Sequence, residues 1–204
     1  MRLASWDWDV ALLQEVPPWW PAALARSAGA HERTVRTSRN ALLPVRRFVA
    51  ERAPDLIKSN GGGANTILAR REIVEHRRLE LRLRPERRVG QLARLADGTC
   101  VANHHGSARV PLAEDELARL WAAALAFAGP APLVVGGDLN LRDPPAPAPD
   151  VVHVAARDVD HVFARGLRPR GEARRPARGV DGTDAPPLLS DHPPLIVELA
   201  PIAR

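Results

Sequence analysis

The chain has 204 residues, long enough for one domain with a proper core and short for two. Apolar residues make up 45% of it, which excludes a disordered, low-hydrophobicity polymer. The net charge of +5 is carried almost wholly by arginine, with Lys58 the single lysine, and it fits a polyanion partner or an arginine-rich codon usage equally well.

Cys100 is the only cysteine, so no internal disulfide is possible, and its apolar surroundings predict a small buried strand residue. No apolar run approaches the length needed to span a bilayer. Asp7, Asp9 and Glu15 interrupt the region where a signal peptide would carry its apolar core. For the chain as it stands, the expectation is a cytoplasmic monomer forming one domain over residues 1–204.

In chain order, Asp9 to Leu13 predicts a short buried strand ending at Gln14-Glu15, broken by Pro17-Pro18. Helices are predicted over Trp19 to Gly29 and Arg39 to Arg52, with Trp19 and Trp20 packing in the core beside the first. Asn60-Gly61-Gly62-Gly63 reads as a tight turn leading into a strand, Asn65 to Ala69. Ile73 to Leu83 alternates apolar and charged positions, the pattern of a half-exposed strand. Val89 to Leu95 and Thr99 to Asn103 flank Asp97-Gly98, a hairpin signal. Pro111 to Phe127 carries Leu117, Leu120, Trp121, Ala124 and Leu125 at helical spacing. Leu133 to Val135 predicts a buried strand running into Gly136-Gly137-Asp138. Residues 143–150 form a proline-rich loop, Val159 to Ala164 a strand, residues 168–187 a mobile loop, and Leu195 to Leu199 the last strand. The mixture of hairpins and crossovers implies an α/β protein with a mixed, two-layered sheet.

Polar groups recur where these apolar runs end or begin. Glu15 follows Leu12-Leu13; His104 and His105 follow Val101-Ala102-Asn103; Asp138 and Asn140 follow Val134-Val135. Asp160 and His161 lie within Val159–Phe163, and Asp191 and His192 precede Leu195. Strand ends are rigid mounts, and several on one edge can converge on one pocket. Carboxylates can hold Mg²⁺ or Mn²⁺, a histidine held by a carboxylate can act as base or phosphate ligand, and an amide can donate to a phosphate oxygen. Together these groups cover what phosphodiester hydrolysis requires.

At these positions the chain resembles the endonuclease/exonuclease/phosphatase superfamily, the DNase I-like fold. Leu13-Gln14-Glu15, Gly137-Asp138-Leu139-Asn140 and Ser190-Asp191-His192 are similar to its LQE, GDxN and SDH signatures. Asn103-His104-His105 and Val159-Asp160-His161-Val162 resemble two further blocks, and Gly63 to Leu68 resembles the family's glycine-rich turn and strand. The resemblance spans residues 9 to 199. It implies a four-layer α-β-β-α sandwich of two packed mixed sheets. It also implies that Glu15 binds the divalent ion, Mg²⁺ or Mn²⁺, with Asp191 beside it. Asp138 would orient or deprotonate the attacking water and Asn140 would bind the phosphate. His192 would contact the scissile phosphate with Asp160 pairing to its ring, and His105 would contact the phosphate or assist the leaving group. The family's opening strand, with its aromatic-Asn pair, has no counterpart before Asp9, and Met1 to Trp8 reads as the end of the helix that should follow it.

Taken singly, each group has an ordinary reading. Glu15 could be a helix-start acid, Asp138 and Asn140 a turn, Asp191 another turn residue and His192 a surface histidine. His104 should point away from His105, and His161 away from Asp160. His31, His76 and His153 read as surface residues. Three functions stay open: an endo- or exonuclease acting on a nucleic acid, a phosphoesterase acting on a lipid or small phosphate ester, and an inactive truncated member serving as a binding module.

Overall fold

The computed structural model describes residues 6–37, 47–48, 52, 63–174, 192 and 194–202. Most of the predicted helix over Arg39 to Arg52, of which Arg47, Phe48 and Arg52 are described and helical, lies outside the described residues, as do most of the Asn60–Gly63 turn, most of the 168–187 loop and Asp191.

Two sheets pack face to face, each with a helix on its outer side. The smaller sheet is built from β1 (Val10–Val16), β2 (His31–Arg36) and β3 (Ala64–Ala69) in the order β1-β3-β2, all antiparallel. The larger contains β4 (Ile73–Arg82), β5 (Arg88–Leu95), β6 (Cys100–His105), β7 (Leu133–Asp138), β8 (Val151–Arg157) and β9 (Asp160–Arg165). Its order is β4-β5-β6-β7-β9-β8, with β6 and β7 parallel and the other pairs antiparallel. β10 (Leu167–Pro169) and β11 (Leu199–Pro201) form a separate two-stranded ribbon. This is the α/β two-sheet architecture that the sequence implies.

Alternation along each strand divides the apolar side chains among three layers. Ile67, Ala69, Ala93, Leu95 and Val101 meet between the sheets, joined by Val10, Leu12 and Val134. Leu68 and Val16 face outward onto Leu24 and Ala25 of α1 (Pro21–Ala28), with Trp8, Ala11 and Leu13. On the far side, Cys100, Ala102, Leu133, Val135 and Phe163 pack under α2 (Val110–Ala128), whose Ala113, Leu117, Leu120, Trp121, Ala124 and Phe127 form its buried stripe. Trp121 meets Phe163 edge-to-face at 5.5 Å. Burying each large apolar side chain of that stripe contributes about 1.5–3 kcal/mol.

Local chemistry explains the element ends. α1 opens on Pro21, whose missing N–H would have no helical partner, and stops at Gly29, left-handed at φ 61. Gly98, at φ 85, makes the β5–β6 turn. Several expectations are corrected. Residues 6–9 are not helical. Trp20 is exposed at 39% and Trp19 is only half-buried, while Trp8, partly buried, packs against the cluster beside α1. β2 and β8 were not anticipated: both are edge strands, and β2 buries only Val35, so neither carries a clear apolar period. Arg168 and Pro169, placed in a loop by composition, belong to β10 and pair with Ala200 and Leu199, and Leu195–Glu198 contributes one bridge, Ile196 to Arg174. No helix among the described residues is long and apolar enough to cross a membrane.

Candidate functional site

The register of the large sheet brings three polar side chains into one row. His105 of β6 pairs with Asp138 of β7, and Asp138 pairs with Asp160 of β9. Directly opposed residues project from the same face, so these three groups stand side by side at one sheet edge. His192 arrives from the C-terminal segment. Its Nδ1 lies 2.9 Å from Asp160 Oδ2, and its Nε2 lies 3.8 Å from Asp138 Oδ2. His105 Nε2 is 3.4 Å from the same Asp138 oxygen. Two carboxylates directly opposed across a ladder repel one another, and the imidazole between them offsets that.

Asp138 is 7% exposed. Burial pushes its carboxyl up to about 6, and Asp160 pushes the same way, while His192 and the Asn140 N–H oppose it. Its Oδ1 accepts the Asn140 backbone N–H at 3.0 Å. Asn140 is left-handed at φ 53, a conformation asparagine tolerates, and its Nδ2 donates to the Gly106 carbonyl at 2.9 Å. Gly106 in turn donates its N–H to the Asp138 carbonyl at 2.8 Å. A Cβ at Gly106 would fall on the Leu139 carbonyl oxygen, so the close approach of these two loops requires glycine.

Glu15 occupies a different kind of position. Leu13 pairs with Thr66 and Val16 with Ala64, so two residues of β1 face one of β3, a β-bulge. The extra residue breaks the alternation, and Leu13 and Val16 both face α1 although three positions apart. Glu15 takes φ 52, unusual for a residue with a Cβ, and lies within the bulge at the end of β1. Gln14 beside it points between the sheets and donates to Asn103 Oδ1 at 2.7 Å.

The other histidines separate by face. His104 turns away from His105 and is buried beneath α2, 3.7 Å from Glu116; burial lowers its pKa and keeps the ring neutral. His161 is buried, with Nε2 2.7 Å from the Leu141 carbonyl and Nδ1 3.1 Å from His153. His153 is exposed but stacked on Phe163, and His76 is half-buried with its ring nitrogen 3.3 Å from Gln91, so neither is a bare surface residue. His31 is exposed.

Glu116 was missed. It lies in the apolar stripe of α2, between Ala113 and Leu120, and is completely buried. It accepts from Ser107 N at 2.9 Å, Ser107 Oγ at 2.7 Å and Arg82 Nε at 2.6 Å. Burial alone would raise its pKa, but neighbouring donors outweigh it and hold it at about 2. An acid on the buried stripe of a helix was the available signal.

A profile of the endonuclease/exonuclease/phosphatase family matches residues 2–192. The chain belongs to that family. No curated protein sequence matches it closely enough to report. Among solved structures it resembles an endonuclease/exonuclease/phosphatase from Bacteroides vulgatus (15% identity, 95% of this chain and 85% of that one, TM-score 0.67). It also resembles TDP2 of D. rerio complexed with single-strand DNA product (16%, 98% and 88%, TM-score 0.67). A third is the mannosyl-6-phosphatase of Bacteroides thetaiotaomicron (14%, 95% and 86%, TM-score 0.66). At these identities the likeness establishes the shared fold, and the family makes the chain a homologue of metal-dependent hydrolases.

Among the described residues, Asp138, Asp160 and His192 are the group whose ligand atoms could converge on a metal, lying within 4.8 Å of one another. These three already satisfy one another through the imidazole. A hard cation such as Mg²⁺ takes oxygen ligands, so this set suits a proton relay better than an Mg²⁺ cage. The carboxylate of Glu15, carried on the bulge at the end of β1, is the right donor type for such an ion.

Proposed function

We propose that this protein hydrolyses phosphodiester bonds with the help of a divalent ion, acting on nucleic acid as an endo- or exonuclease. The observation that carries the reading is the in-register row His105–Asp138–Asp160, completed by His192 from a distant part of the chain. Nothing in the packing of either sheet needs these groups at one edge.

In this reading Asp138 is the general base. A carboxyl poised near 6 is largely ionised at neutral pH, yet basic enough to take a proton from water. Asn140 fixes one of its oxygens, leaving the other toward the incoming water. His192 donates Nδ1–H to Asp160, which fixes the ring's orientation and turns Nε2 toward the place a phosphate oxygen would take. His105 stands on the other side of Asp138 to contact the phosphate or protonate the leaving oxygen. Asn140 spends one N–H of its amide on Gly106, and the second is available to the phosphate. Glu15 and Asp191 would hold Mg²⁺ or Mn²⁺, which supplies charge neutralisation at the phosphoryl oxygens.

The deciding experiment measures hydrolysis of bis-p-nitrophenyl phosphate and of supercoiled DNA with Mg²⁺, Mn²⁺ or EDTA. It compares the natural chain with Asp138→Ala, His192→Ala and Glu15→Gln. Metal-dependent turnover that falls by about 10²–10⁴ in the first two variants, with a raised metal requirement in the third, is expected. Turnover surviving in EDTA, or in Asp138→Ala, would sink the reading. Efficient cleavage of small esters alone would assign the same chemistry to a lipid or small-molecule phosphoesterase.

A further inference from the structure

A cleft of about 450 Å³ opens at the lateral edge of the sandwich, between β2 of the small sheet and β4–β5 of the large one. Thr34, Val35 and Val89 line it together with Arg36, Arg78, Arg87 and His76. Burial lowers the His76 pKa, so the cleft's positive charge is arginine. Arg87 is ion-paired with Glu80 and donates to the Arg36 carbonyl. Among the described residues, no carboxylate forms a salt bridge with Arg36 or Arg78, and both are exposed. Three arginines thus line a concave site whose neighbouring carboxylate, Glu80, is engaged by Arg87 and flanked by Arg78, so the cleft keeps an excess of positive charge suited to an anion.

The strand registers put this cleft on the rim that carries the row of acids and histidines. Arg36 pairs with Ala64, which also pairs with Val16 next to Glu15. Gln91 pairs with Asn103, so Val89 stands level with His105, and Glu80, two residues beyond Arg78, pairs with Val89. At about 4.8 Å between neighbouring strands, β4 lies roughly 10 Å from β6 and 14 Å from β7. A nucleic-acid strand carries one phosphate per about 3.4 Å of duplex axis, so this span corresponds to about three to four nucleotides, or fewer along an extended single strand.

We infer that Arg36 and Arg78 form a second phosphate site that holds the backbone of a polynucleotide a few residues from the phosphate at the His105–Asp138–Asp160 row. The inference rests on the nuclease reading and sharpens it. A small diester cannot reach both places, whereas a polynucleotide gains from bridging them. Phosphate contacts of this kind position the strand and carry no base preference.

The test is binding of fluorescein-labelled single-stranded DNA of two, four, eight and twelve nucleotides, read by anisotropy in EDTA so that no cleavage occurs. For the natural chain, affinity should climb steeply once the strand exceeds about four nucleotides. In Arg36→Ala/Arg78→Ala, that gain should fall about tenfold or more, and the slope of log affinity against log salt should become shallower by about 0.7 for each phosphate released. Arg26→Ala/Arg71→Ala removes the same charge from the opposite end of the sandwich and should retain the length dependence. Both replaced pairs are exposed, and an unchanged thermal melt checks their folding. Equal losses in the two double variants, or an unchanged length dependence and salt slope in Arg36→Ala/Arg78→Ala, would overturn the site. Because this assay needs no turnover, length-dependent binding through these arginines without metal-dependent hydrolysis would leave the site standing and remove the nuclease reading alone.

Discussion

Asp138 bears the sharpest conflict between stability and chemistry. It faces Asp160 directly across the ladder, is nearly buried, and titrates at about 6 instead of the usual 3.8. A folded-state pKa raised above the unfolded value means that the fold favours the protonated acid. That contribution is fully present below about pH 4 and is lost as pH rises through about 6. At about 1.4 kcal/mol per pKa unit, the loss approaches the order of 3 kcal/mol for the metal-free chain. Asparagine has the same shape and does not titrate. Asp138→Asn is therefore expected to gain stability relative to the natural chain between pH 4 and pH 7.5, by about 1–3 kcal/mol in EDTA, while losing turnover. Urea unfolding at the two pH values measures it, and a stability difference that stays constant with pH would show that burial of this charge costs the fold nothing. Activity should fall as pH drops through about 6 or below, because the carboxylate is the working form and a bound cation lowers its pKa.

At the scale of elements, the decisive joint is between α2 and the turn after β6. Ser107 gives both its N–H and its hydroxyl to Glu116, and Gly106 beside it touches both Asp138 and Asn140 through the backbone. Glu116 thus holds the turn that carries His105 on one side and receives Asn140 on the other. His104 stands 3.7 Å from Glu116, too far for a hydrogen bond, so Ser107 and Arg82 carry the close contacts. The Glu116 pKa is depressed to about 2, so its contribution to folding is present above about 4.5 and is lost as pH falls toward 2. Glu116→Ala leaves the buried Ser107 donors without their acceptor and the Arg82 guanidinium with Asp115 alone, and should cost about 3 kcal/mol. Glu116→Gln keeps the shape and should cost less, while flattening the loss of stability between pH 4.5 and 2. Acid titration of the unfolding free energy checks both, and an unchanged acid limb in Glu116→Gln would remove Glu116 from the account.

For the molecule as a whole, the sequence exposed the apolar strands and the polar groups at their ends, because burial imposes a strong period and an acid at the end of an apolar run stands out. It did not expose β2, whose polar outer positions dilute the period, nor the bulge at Glu15, which is a matter of register between segments some fifty residues apart. Nor did it expose how the sheets are locked together. Asn103 does this: its Nδ2 lies 3.1 Å from both the Leu13 and Thr66 carbonyls and 3.3 Å from Gln91 Oε1, while its Oδ1 accepts from Gln14. Gln91 continues the network to the Arg33 carbonyl. Apolar contacts between sheets tolerate sliding, whereas these hydrogen bonds have one register, and that register sets where Glu15 stands relative to His105 and Asp138. Asn103→Leu is close to isosteric but leaves several buried partners unsatisfied, each costing about 1–3 kcal/mol. The expected result is a loss of about 2–4 kcal/mol in urea unfolding and a larger fall in metal-dependent turnover than in stability-matched variants of the α2 core, such as Leu117→Ala. If activity fell only in step with stability in both variants, the polar network would be a support of the fold alone and would have no part in aligning the two halves of the site.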